Sequence, residues 1–133
     1  MSSSFSLEFE EGCNISKNCQ KEIENFIGFI FKKLALDGYC DIRIISDREK
    51  NGVKTTAFYN HNNGLCCVYG ANRLGIDICR SVCHELIHMK QYEQNRVPEN
   101  PLDVGGKVED EANAVAGQLV KIYTKKRHPK SLF

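Results

Sequence analysis

The chain carries, at residues 83–89, the sequence Cys-His-Glu-Leu-Ile-His-Met. Residues four apart lie on the same face of an α-helix, so His84 and His88 project side by side and can reach one ion at about 2.0–2.1 Å. Glu85 is turned by about 100° from His84 around the helix, which places its carboxylate beside such an ion. The stretch therefore predicts a helix with two metal ligands and, in Glu85, a general base.

The surroundings of this motif favour a buried helix over a surface helix with two incidental histidines. Val82 and Cys83 precede the motif without charge, and Leu86 and Ile87 within it are apolar, whereas a chance match on a solvated helix would be flanked by Lys and Glu. Lys90 departs from the pattern at the helix end, where its charge can reach solvent. Asp77 is the expected N-cap, and the helix is expected to continue to about Asn95, before Pro98.

A catalytic zinc needs a third protein ligand. The remaining histidines, His61 and His128, lie in a turn-like segment and in the tail, so the ligand is expected from a last helix at residues 108–126. There Glu109 is favoured over Glu111, because small residues share its face and permit close approach of the two helices. These small residues are Ala112, Asn113 and Ala116.

The first half of the chain predicts a backing helix and a small mixed or antiparallel sheet. Apolar residues recur every three or four positions from residue 23 to residue 34, and Asn14 or Ser16 can cap this helix, with Gly38 after its end. Turn signals between the strand patterns favour antiparallel hairpins. The predicted strands are residues 5–10, 39–46, 53–59 and 65–69, with a short edge strand at 71–76 and a loop at 96–107.

Length and composition favour a single domain over residues 1–133, with residues 1–4 and 127–133 expected to be flexible. The 18 basic and 17 acidic side chains give no indication of nucleic acid or membrane as the principal partner. No apolar run approaches the roughly 20 residues of a membrane span, and no signal peptide is recognised at the start. The odd number of cysteines, seven, favours buried thiols in a reducing cytoplasm over disulfides.

The motif at residues 84–88, followed by Glu109-x-x-Ala112-Asn113, resembles the gluzincin pattern, in which HExxH precedes a later glutamate ligand. Its Glu-x-x-Ala-Asn form is similar to that of ImmA/IrrE-type peptidases, and the chain is similar in size to minigluzincins and small phage-encoded HExxH proteins. The resemblance implies an α+β, zincin-like fold with the motif helix followed by a C-terminal glutamate helix. It also implies Zn²⁺ held by the two histidines and Glu109, with Asn113 orienting a histidine.

The function implied by this resemblance is zinc-dependent hydrolysis of peptide bonds in a protein or peptide substrate, with Glu85 as the general base. In such relatives the substrate lies as an added strand along an exposed sheet edge, for which residues 71–76 are the candidate here. The residue that stabilises the oxyanion is left open among Tyr92, Tyr123 and His128.

Two other functions are compatible with the same residues. The chain can be a metal-binding regulatory or phage accessory protein with little proteolytic activity, although Glu85, which such a protein would be free to lose, is present. The third function is contact with nucleic acid through a basic tail. This tail is formed by Lys121, Lys125, Lys126, Arg127 and Lys130.

The expected compartment is the cytoplasm, or the host cytoplasm if a phage or virus encodes the chain.

Overall fold

The computed structural model describes residues 5–97 and 106–133 and shows an α+β fold. Residues 1–4 and most of the predicted loop at 96–107 lie outside the described residues. Within them, no helix is both long and apolar enough to span a membrane. The elements are β1 (Phe5–Phe9), α1 (Lys17–Lys33), β2 (Cys40–Ile45), β3 (Ala57–Asn60), β4 (Leu65–Tyr69), α2 (Gly75–Glu93), α3 (Lys107–Arg127) and a final 3₁₀ turn (Lys130–Leu132).

The four strands form one mixed sheet in the order β1-β2-β4-β3. Strands β1, β2 and β4 are parallel, and β3 pairs antiparallel with β4. The predicted hairpin is therefore correct for β3 and β4 but wrong for β2 and β3, which are not neighbours. The intervening segment folds over the outer face of the sheet, where Val53 is buried against Ile45 and Cys67. Val53 thus contributes its apolar surface to that face and not to a longer β3.

Helix α1 backs the opposite face of the sheet, as its apolar stripe predicts. Its residues Ile23, Phe26, Ile27 and Ile30 are fully buried in the main core. Ser16 is the N-cap, and its hydroxyl accepts a hydrogen bond of 3.1 Å from the backbone N–H of Cys19. The cap satisfies one of the free N–H groups at the helix start.

The start of α2 corrects two predictions. Residues 71–76 do not form an edge strand, because the helix begins at Gly75, and the N-cap is Leu74 instead of Asp77. The guanidinium of Arg73 explains the turn before the helix, since it donates hydrogen bonds to the carbonyl oxygens of Tyr69 and Asp77. These bonds tie the end of β4 to the first turn of α2 and leave no extended segment between them.

Helices α2 and α3 pack closely because small residues separate them. Ala112 is fully buried and Ala116 almost so, which allows the two backbones to approach each other. After α3, His128 adopts a left-handed conformation with φ 49° and reverses the chain. Leu132 then enters the main core with no exposed surface. Residues 127–133, which were predicted from the sequence to be flexible, are therefore anchored by this leucine.

Candidate metal centre

Three side chains predicted as ligands converge at the junction of α2 and α3. The Nε2 atoms of His84 and His88 lie 3.1 Å apart. Glu109, in the first turn of α3, places its Oε2 at 3.2 Å from His84 Nε2 and its Oε1 at 2.7 Å from His88 Nε2. Each residue thus offers one ligand atom, and these atoms all lie within 4.8 Å of one another.

The donor set fits zinc. Two imidazole nitrogens and one carboxylate are a ligand set of catalytic zinc sites, in which a fourth position stays accessible. Here the side chains of His84, His88 and Glu109 keep 20%, 15% and 35% of their surface exposed, so the cluster is shielded but open to the cleft beside it. Glu111, the rejected alternative, is not part of the cluster and forms an ion pair with Arg96.

The electrostatics of the cluster favour a neutral imidazole at His84 and a readily protonated carboxylate at Glu85. Burial and the neighbouring His88 lower the pKa of His84, although Glu109 and a hydrogen-bonding interaction with Asn113 act in the opposite direction. The neutral imidazole is the form that binds a metal ion. Burial raises the pKa of Glu85 to about 7, with His88 opposing and Glu109 reinforcing the shift.

A buried glutamine that the sequence interpretation missed also contacts the cluster. The Nδ1 atom of His88 lies 2.8 Å from Oε1 of Gln91. The Gln91 Nε2 group donates to the carbonyl oxygen of Val108 and to Oε1 of Glu111, both at 2.9 Å. The only signal in the sequence is a polar residue three positions after His88, on the side of the helix that faces α3.

The cluster opens into a cleft of about 720 Å³ between α2, α3 and strand β3. From α2, Arg80 and Ser81 line one part of the cleft, while Tyr92 lines another together with Tyr59 of β3, at 6.1 Å between ring centroids. His61 stacks on Tyr92 at 4.0 Å. The cleft is therefore polar near Arg80, which pairs with Asp77, and aromatic near the end of α2.

Strand β3 presents its free edge along this cleft. The N–H of Tyr69 donates to the Thr56 carbonyl at 2.7 Å, and Phe58 lies opposite Cys67. Because hydrogen-bonded pairs alternate along an antiparallel ladder, Ala57 and Tyr59 direct their N–H and C=O groups away from β4. Among the described residues only β4 pairs with β3. The exposed edge expected at residues 71–76 is thus supplied by β3.

The three residues considered for the oxyanion are placed differently. Tyr92 lines the cleft. Tyr123 does not line it, because this side chain packs edge-on against Phe26, and its hydroxyl donates to Glu22 on α1. His128 ends α3 and is not part of the cleft lining either. Tyr92 is the only one of the three that is adjacent to the cleft.

Comparisons of the chain with models of known protein families, with curated proteins and with solved structures gave no match. Contacts within the described residues bring together His84, His88 and Glu109 and place Glu85 on the wall of the same cleft.

Proposed function

We propose that the chain is a zinc-dependent peptidase of the gluzincin kind, with a zincin-like fold and Glu85 as the general base. The observation that carries the proposal is the convergence of His84, His88 and Glu109 from two helices on one point. A chance HExxH sequence has no reason to find a carboxylate from a separate helix within 3.2 Å of its histidines. The packing of Ala112 and Ala116 provides that approach.

The chemistry follows from the groups around the cluster. When bound, zinc supplies Lewis-acid chemistry, which acidifies water and polarises a carbonyl group. The Glu85 carboxylate lines the cleft, where it can accept a proton from the attacking water and deliver it to the leaving amine. A pKa of about 7, raised by burial, suits a group that both accepts and returns a proton near neutral pH. Tyr92 is the candidate donor to the developing oxyanion.

The substrate we infer is an extended peptide segment that adds to the free edge of β3. Backbone groups of Ala57 and Tyr59 are available for pairing there, and they lie opposite α2 across the cleft. Arg80 and Tyr92 both line the cleft and are separated by about 18 Å along the helix axis, from the rise of about 1.5 Å per residue. That length corresponds to a strand of about five or six residues.

The compartment we propose is the reducing cytoplasm. All seven cysteines are free and buried, so the fold contains no disulfide that an oxidising compartment would have to supply. Buried thiols behave as small apolar side chains. This is the role in which they were interpreted from the sequence.

Metal content and cleavage test the proposal in separate steps. Purified full-length protein is expected to contain one zinc per chain by mass spectrometry, and the His88→Ala variant to contain none. Glu85→Gln is expected to retain zinc but to lose cleavage of an extended peptide library, because the amide cannot accept the proton. Glu24→Gln, an exposed residue on α1, is the matched control and is expected to leave both unchanged.

Two results would contradict the proposal in different ways. Zinc retained by His88→Ala would contradict the proposed metal site itself. Zinc bound normally by a wild-type protein that cleaves no peptide would instead favour a metal-binding regulatory or accessory protein. Cleavage that persists in Glu85→Gln would leave the metal site intact and contradict only the role of Glu85 as the base.

A further inference from the structure

Gln91 is the one polar side chain that the fold buries completely among the described residues. Burial of an amide without hydrogen bonds is costly, and every partner of this amide belongs to the metal centre or to α3. Its Oε1 lies 2.8 Å from His88 Nδ1, and its Nε2 group donates at 2.9 Å to the Val108 carbonyl and at 2.9 Å to Glu111. The side chain therefore joins the second histidine to the first turn of α3.

The surrounding acceptors determine which way the amide points. A glutamine Nε2 group has two hydrogens to donate, and both are used by Val108 and Glu111, neither of which can donate in return. A flipped amide would direct its oxygen at a carbonyl and a carboxylate and would leave both without a donor. Oε1 is thus constrained to face His88, and because this oxygen only accepts, the hydrogen bond requires a proton on Nδ1 of His88.

The position of that proton decides whether His88 can bind a metal ion. Glu109 Oε1 lies 2.7 Å from Nε2 of the same ring and would attract the proton to that side. A proton on Nε2 would block the ligand atom, whereas a proton on Nδ1 leaves the Nε2 lone pair directed at the cluster. Gln91 therefore competes with Glu109 for the tautomer of His88.

We propose that Gln91 is a positioning residue that holds His88 in the Nδ1–H tautomer and, through Val108 and Glu111, fixes the first turn of α3 at the distance from which Glu109 can act as a ligand. The inference rests on the proposed metal site but not on peptidase activity. The hydrogen-bonded partner of a ligand histidine ordinarily contributes 10–100-fold to metal affinity. The neutral amide of Gln91 orients His88, whereas a carboxylate at this position would add a buried negative charge beside Glu111.

The first test is nuclear magnetic resonance of the imidazole nitrogens in the metal-free full chain. His88 Nδ1 is expected to remain protonated, with a pyrrole-like nitrogen shift, at every pH at which the protein is folded, because both the neutral Nδ1–H form and the imidazolium carry that proton. A pyridine-like Nδ1 signal for His88 would overturn the proposal. This measurement needs neither a variant nor turnover.

The second test compares zinc affinities by competition with a chelator. Gln91→Met keeps the side-chain length but removes the acceptor, and is expected to weaken zinc binding on the order of 10–100-fold. Leu119→Ala is the control for loss of packing in α3, since Leu119 is buried on the same helix and does not line the cleft. It is expected to lower the unfolding midpoint while leaving zinc affinity within about twofold.

A reciprocal variant separates orientation from general packing. Gln91→Glu/Glu111→Gln exchanges acceptor and donor between these two side chains and keeps an acceptor for His88 Nδ1, but the carboxylate at position 91 cannot donate to the Val108 carbonyl. The double variant is therefore expected to recover the Nδ1–H signal but only part of the zinc affinity lost in Gln91→Met. If Gln91→Met binds zinc as tightly as the wild type, or the double variant shows no Nδ1–H signal, the positioning role is wrong. A failure of peptide cleavage alone would affect only the proposed function.

Discussion

Zinc is expected to raise the thermal stability of the chain by an amount that depends on Glu109. A ligand that binds only the folded state at about 100 times its dissociation constant stabilises by about 2.7 kcal/mol. For 133 residues, an unfolding entropy of about 2.1 cal/mol/K per residue gives about 0.28 kcal/mol/K. The wild-type midpoint should therefore rise by about 10 °C at that zinc concentration.

Removal of one of the three ligands should reduce this rise strongly. We expect Glu109→Gln to show a small fraction of the wild-type shift at the same free zinc, measured by circular dichroism melts with a zinc buffer. Asp110→Asn is the matched control, because Asp110 is an exposed acidic residue in the same helix turn and is not one of the three residues of the cluster. It should retain the full shift.

The unfolded chain complicates the absolute size of this effect. Its seven cysteines can bind zinc once exposed, and binding to the unfolded state reduces the stabilisation. All three proteins contain the same cysteines, so the difference between them is not affected. An equal zinc-dependent shift in Glu109→Gln and the wild type would refute Glu109 as the third ligand.

Three further predictions concern the scaffold. Leu132→Ala should lower the free energy of unfolding in urea by about 2–5 kcal/mol, because the side chain is fully buried. Phe133→Ala truncates a side chain that is 68% exposed and should change the same free energy by no more than about 0.5 kcal/mol. Equal values for the two variants would show that the tail is not anchored. Gly70→Ala should cost about 1–3 kcal/mol in thermal unfolding, since its new Cβ would overlap Cγ2 of Ile44. A fully stable variant would contradict that contact. Hydrogen bonds from Ser46 and Asn51 lower the pKa of Glu10 to about 2, so the stability that this carboxylate contributes is present above its usual pKa of 4.5 and is lost as the pH falls toward 2. Glu10→Gln should therefore be less stable than the wild type at pH 7 and approach it in acid. A stability difference that does not change with pH would show that the ionised carboxylate is not its cause.

The parts of the site that lie on one helix could be predicted from the sequence. The interval between His84 and His88 is set by helical geometry, and the apolar neighbours indicate that the helix is buried. The proposed third ligand required a second step, because Glu109 lies on a different helix. Small residues on its face were the relevant signal, and the structure shows Ala112 and Ala116 buried at that interface. Local periodicity and side-chain size were sufficient for this much.

The order of the strands could not be predicted in the same way. The pairing of β2 with β4 joins residues far apart in the chain, and nothing in either strand specifies a parallel partner. Turn signals at Asn51-Gly52 are local and indicate a reversal but not which strands become neighbours. The segment after β4 contains apolar residues that fit a strand as well as a helix start, and Arg73 determines the outcome through contacts that are visible only in three dimensions.

Gln91 illustrates a further limit. A polar residue at a buried helix position is ordinarily counted against burial, and only its partners on α3 show why the fold keeps it. Those partners lie on a different helix, and the sequence does not indicate which of its residues come close to Gln91. The residues that hold a ligand in position are therefore harder to predict than the ligand itself, because their function depends on distances and not on spacing.

Because all seven thiols are free and buried, their chemical modification can report local opening of the fold. Burial raises the pKa of Cys83 to about 12 and that of Cys79 well above the usual value. A hydrogen bond with Cys40, together with burial, also raises the pKa of Cys66 well above that value, so almost no reactive thiolate is present at these three positions while the fold is closed. Alkylating reagents can then modify a cysteine only after the surrounding structure has opened. Cys79 and Cys83 on α2 and Cys66 on the sheet would each record how often that part of the molecule opens, and their modification rates would compare the stability of the ligand-bearing helix with that of the strand beneath it.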